Sequence, residues 1–118
     1  MDLDVWKMAH GLVLDTYRLT RSIPREELFG LISQLRRAIV SVPANIAEGF
    51  VKCSKSDKAR FFNIAQGFLE ECRYYFILAS DLGYADTANR FQTLSRVSRM
   101  LESDTNAVLS SRFNVRSS

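Results

Sequence analysis

The sequence predicts an all-α protein: one domain over residues 1–118, folded as an antiparallel up-down-up-down four-helix bundle. Apolar residues recur at three- and four-residue steps through four long segments, the period of helices with one face in a core. Only two prolines and five glycines interrupt 118 residues, which favours a few long elements over many short strands. No β-type alternation, internal repeat or low-complexity tract appears. The intervening connections are short, so successive helices should be antiparallel neighbours.

The first helix is expected over about 4–21, where Val5, Met8, Leu12, Thr16, Leu19 and Ile23 form a stripe that Trp6, Val13 and Tyr17 widen. Asp4 is a candidate cap, since a carboxylate there accepts from free backbone N–H groups. Ser22-Ile23-Pro24 should stop this helix and start the next, because proline restricts its predecessor yet suits a first helical turn. The second helix is expected over about 25–48, with Glu26 and Glu27 in its first turn, favourable for the helix dipole. Leu28, Leu31, Leu35, Ile39, Val42 and Ile46 form its seam. Pro43 should bend it, and Gly49 should close it.

The third helix, about 55–82, has the clearest pattern. Phe62, Ala65, Leu69, Cys72, Phe76 and Ala79 form a bundle seam, and Phe61, Ile64, Phe68, Tyr75, Leu78 and Leu82 add a second stripe. A helix apolar over so wide an arc needs cover on more than one side, from its own bundle or from a second subunit. Ser54 and Asp57 have capping-box spacing at its start, and Gly83 ends it. Asp86 or Thr87 can cap the fourth helix, about 86–109, which carries Phe91, Leu94, Val97, Leu101 and Val108. The tail, 110–118, has little to bury and should fray.

Composition narrows the chemistry. At this length folding removes roughly two-thirds of the chain's surface from water, enough for a core without disulfides or metal. Cys53 and Cys72 show no paired spacing, the start of the chain is acidic where a secretory signal is basic, and no apolar run reaches membrane-spanning length. A cytoplasmic protein with reduced thiols is expected. The single histidine, His10, sits in no Glu-x-x-His pair, so neither a di-iron site nor zinc has its ligands. Phosphate-cradling glycine loops and a serine on a strained turn are also missing. Cys53, between Lys52 and Lys55, is the one candidate nucleophile, against the simpler reading of a surface thiol. No catalytic residue, cofactor or metal is expected.

The informative residues are polar. Gln34, Arg37, Ser41, Asn45 and Glu48 line one face of the second helix, and Asn63, Gln66, Glu70 and Arg73 one face of the third. These are either solvated faces or a buried or intersubunit network in which Arg36 or Arg37 pairs with Glu48 or Glu71. Net charge is +3, and residues 84–118 hold five arginines against three acids. Arg96 and Arg99, one turn apart, could contact phosphates, as could the pair Arg36 and Arg37. Lys52, Lys55, Lys58 and Arg60 cluster around the second connection.

The segment Gln34-x-Arg36-Arg37-Ala38, continued as Ser41-Val42-Pro43-Ala44-Asn45-Ile46-Ala47-Glu48-Gly49, resembles the hallmark of a bacterial four-helix-bundle family. That family is named for proteins encoded in intervening sequences of 23S ribosomal RNA genes. The likeness extends through Trp6, Tyr17, Pro24 and Gly30 upstream, and through Ser54, Asp57, Ile64-Ala65-Gln66-Gly67, Glu71 and Leu82-Gly83-Tyr84 downstream. The resemblance implies a homopentameric ring with no enzymatic activity. It also implies an association with RNA or DNA, or with a reverse transcriptase, as in accessory proteins of diversity-generating retroelements. Phe68 departs from the small residue common at that position, which bears on helix or subunit packing.

Overall fold

The structure, a computed structural model, describes residues 3–110. Four helices form it: α1 (Asp4–Thr20), α2 (Ser33–Val51), α3 (Lys55–Asp81) and α4 (Ala88–Ser110). No strand occurs among the described residues. The helices pack around a square in which α1 borders α2 and α4, and α3 borders the same two. Thr87, Ser95 and Ser98 of the α4 side meet Phe76, Arg73 and Gln66 of α3 in turn, so these two helices are antiparallel. Arg37 meeting Glu71, and Gly49 meeting Phe62, set the same relation between α2 and α3.

α1 begins one residue earlier than a capping Asp4 would require. Leu3 holds the cap position without a side-chain bond, and Asp4 is the first helical residue, where its charge still suits the dipole. Its last turn tightens before Pro24, with Arg21, Ser22 and Ile23 donating to carbonyls three residues back.

The second helix departs most from expectation. Its first turns are a 3-10 turn, Arg25–Glu27, and a π turn, Leu28–Ile32, with Gly30 outside helical space at φ −110°, ψ −107°. The Glu27 carboxylate explains this break: it folds over the turn to accept from the Leu31 N–H at 3.5 Å, and a Cβ on Gly30 would lie 3.0 Å from it. α2 then continues as one helix through the buried Pro43, so the backbone irregularity falls at Gly30. Nor does Gly49 end the helix, which runs on to Val51. Gly49 is instead where Phe62 packs, and a Cβ there would come within 2.5 Å of the ring. The end of α2 is served by Lys58, whose Nζ donates to the Phe50 carbonyl at 2.8 Å.

α3 starts as expected, the Ser54 hydroxyl accepting from the Asp57 N–H at 3.1 Å. All six residues of its seam, Phe62 through Ala79, are fully buried. It ends in a Schellman motif: Tyr84 N–H reaches the Ala79 carbonyl, Gly83 N–H reaches Ser80, and Gly83 adopts φ 76°. At the start of α4 the two candidate caps divide the work. Asp86 accepts from the Ala88 N–H, whereas the buried Thr87 hydroxyl donates to the Phe76 carbonyl and pins α4 to α3. Leu94, Val97, Leu101 and Val108 complete the core. Ser110 closes α4; the rest of the expected frayed tail lies outside the described residues.

Candidate functional site

Two of the five residues on the polar face of α2, Gln34 and Arg37, join a cross-helix network. Arg37 Nη2 donates to Gln34 Oε1 at 3.0 Å and to Glu71 Oε1 at 3.3 Å, and the Tyr75 hydroxyl donates to the same Glu71 oxygen at 3.2 Å. The Tyr75 phenol is held above its usual range by partial burial and by that carboxylate. Ser41 and Asn45 turn inward on their own helix, donating to the carbonyls of Arg37 and Ser41. Glu48 takes no part in the cross-helix bond; it pairs with Lys52 one turn on, at 3.4 Å. The Arg37–Glu71 pair is more than a third exposed on both sides, so it sets register more than it adds stability. The polar face of α3 splits likewise: Gln66 exchanges two 2.8 Å bonds with Ser98, and Arg73 bonds Glu70 and Ser95 while covering the Phe91 ring.

The basic residues sort into engaged and outward-facing groups. Arg36 bonds the Thr20 hydroxyl at 2.9 Å and lies over the Tyr17 ring, whereas Arg37 points to α3. Adjacent helical residues lie about 100° apart, so these two arginines do not form one patch. Lys58 is committed to the end of α2, and Lys52 and Arg60 lie near the Phe61 ring. Arg96 and Arg99 are exposed on α4, across the bundle diagonal from α2, and make no ion pair among the described residues. They share an exposed polar stripe with Asn89, Gln92, Ser103 and Asn106. Sequence reasoning passed over these four neighbours, although their three- and four-residue spacing is visible.

Two further surfaces are apolar. Ile64, Gly67, Phe68 and Glu71 line an open groove of about 290 Å³ on the α2 side of α3. At the corner between α1 and α2, Phe29 is 91% exposed on the π turn. That corner is tied across the bundle end by the Tyr84 hydroxyl, which donates to Glu27 at 3.0 Å and is thereby raised above its usual phenol range.

The thiols differ. Cys53 is exposed, and its neighbour Lys52 turns to Glu48. Cys72 is buried in the seam, and burial, reinforced by Glu71 and opposed by Arg37, pushes its thiol up to about 12. His10 stacks on Trp6 with ring centres 5.3 Å apart. Among the described residues no three His, Cys, Asp or Glu side chains gather as metal ligands, and no helix is long and apolar enough to cross a membrane.

These features define a class of helical bundle whose distinctive chemistry lies on its outer faces. The family model of the 23S rRNA-intervening sequence protein matches residues 1–103, and the chain belongs to that family. No curated protein matches it.

Proposed function

We propose that the protein is a non-catalytic, cytoplasmic homo-oligomer, pentameric as the family resemblance implies, that holds RNA, DNA or a nucleic-acid enzyme such as a reverse transcriptase on its assembled surface. The breadth of apolar surface on α3 carries the reading. Beyond its fully buried seam, Ile64, Tyr74 and Ile77 remain between 36% and 59% exposed, apolar side chains available to a neighbouring copy. Arg96 and Arg99 supply the phosphate contacts, with the carboxamides of Gln92 and Asn89 beside them.

Light scattering tests assembly directly: a mass several times the 13.5 kDa protomer is expected. Fluorescence anisotropy with a structured RNA, between 50 and 200 mM salt, tests the second half. Affinity should fall steeply with salt. The double substitution Arg96→Glu with Arg99→Glu should weaken RNA binding roughly tenfold or more and leave the mass unchanged. A monomer at all concentrations sinks the scaffold.

One observation favours a second reading, a protein-interaction scaffold with no nucleic-acid role. Arg36 and Arg37, half of the expected phosphate contacts, are used within the protomer. Salt-insensitive or absent RNA binding by an assembled protein would select it.

A further inference from the structure

Many basic side chains of the bundle are spent on neighbours: Arg18, Arg37, Lys52, Arg60 and Arg73 each pair with a carboxylate. One line of α4 is different. Asn89, Gln92, Arg96, Arg99, Ser103 and Asn106 recur at three- and four-residue steps, all exposed, opposite the core residues Leu94, Val97 and Leu101. Their side chains make no hydrogen bond or ion pair among the described residues. The line carries carboxamides, guanidiniums and a hydroxyl, and no carboxylate; Glu102 stands beside it, one turn on from Ser98 on the α3 side. Its shape matters as much as its chemistry. α4 is a corner of the square, flanked by α1 and α3. With helix axes about 8–10 Å apart, those neighbours stand back about 6–7 Å along the diagonal. The line is therefore the leading edge of a rod about 10–12 Å across, and it runs about 25 Å from Asn89 to Asn106.

We infer that this edge of α4 lies in the major groove of duplex DNA, with Gln92, Arg96 and Arg99 at the base edges and Asn89 and Asn106 at the backbone rims. The groove of B-form DNA, about 12 Å wide and 8.5 Å deep, admits one helix. Its base edges also match the side chains: a guanidinium forks onto the two acceptors of guanine, and a carboxamide meets the acceptor and donor of adenine. Other nucleic acids fit less well. The major groove of an RNA duplex is too narrow for side chains to read, and its minor groove is too shallow to take a protruding rod. A single strand needs rings on which bases can stack. The one ring on α4, Phe91, is half-buried, with the Arg73 guanidinium 5.1 Å from its centre. Glu102 is the one exposed charge set against the fit, since it faces the phosphates at the groove's edge.

The inference rests on the nucleic-acid reading proposed above and narrows it to one partner. Fluorescence anisotropy of the full chain against a short duplex DNA, the RNA duplex of the same sequence and each single DNA strand separates the two ideas. Duplex DNA should bind roughly tenfold or more tightly than the other probes. Gln92→Ala removes a base-edge contact at an exposed position, so circular dichroism should show unchanged helix. It should erase most of the preference for DNA and leave RNA binding as it was. Glu102→Gln, also exposed, should tighten DNA binding roughly threefold or more, and most at low salt. Duplex RNA or single strands bound as tightly as DNA would overturn the groove and leave the nucleic-acid reading standing. A Gln92→Ala protein with its DNA preference intact, or a Glu102→Gln protein with unchanged affinity, would overturn the groove as well. Binding to none of the probes overturns both ideas.

Discussion

Gly49 shows how one missing atom can set the distance between two helices. In an exposed helix interior, glycine to alanine gains about 0.5–1 kcal/mol. Here the added Cβ would meet Phe62 Cε1 at 2.5 Å and the Lys58 carbonyl at 3.3 Å. Gly49→Ala should therefore destabilise by about 1–3 kcal/mol, measured by urea denaturation, the cost of overpacking a filled core. The sequence marks Gly49 as a helix closer because glycine favours helix ends, but which ring lies against it depends on a partner thirteen positions away. Cys72 gives a second residue-level test. Its folded thiol titrates near 12 and its unfolded thiol near 9, so the folded state holds the proton longer. Stability from this group is complete below pH 9 and falls as pH rises from 9 towards 12, by about 1 kcal/mol per unit. Cys72→Ala should flatten that decline when unfolding is compared at pH 8 and pH 10.5.

Among the helices, α3 is the one the sequence describes nearly completely. Its 27 residues keep one uniform period, Ser54 caps it, and Gly83 ends it with the left-handed φ that only glycine adopts without strain. Gly83→Ala should cost about 1 kcal/mol in thermal or urea unfolding, whereas Gly11→Ala, on exposed α1 with open space around it, should gain up to about 1 kcal/mol. Opposite signs from the same chemical change would separate the cap from ordinary helix propensity. The start of α2 was not readable in this way. Glu26, Glu27 and an apolar seam write an ordinary helix from residue 25, and propensity alone supports it. What breaks it is a carboxylate held between Leu31 and Tyr84, and Tyr84 arrives from the far side of the bundle. Pro43 lies inside α2, which continues as one helix through it.

Across the whole molecule, the apolar pattern placed the core and the neighbours of each helix, whereas the polar pattern left the candidate surfaces unsorted. Sequence can group Arg36 with Arg37 and Arg96 with Arg99. It cannot say that the first two are spent on Thr20 and Glu71 while the second two face outward, because that depends on which helices abut. Nor could it separate the groove on α3 from its core-facing stripe, since Phe68 and Phe62 read alike until packing buries Phe62 fully and leaves Phe68 half-buried at the groove. The Tyr84–Glu27 bond bears on the order in which the fold closes. It joins residues 57 positions apart, against 34 for Arg37–Glu71 and 11 for Thr87–Phe76. Loop closure makes nearby contacts form first, so helical hairpins should zip before this bond can. The Glu27 corner would then reach its final pose only after α3 has docked and carried Tyr84 across the bundle end, so a chain half-emerged from synthesis would still lack this tie.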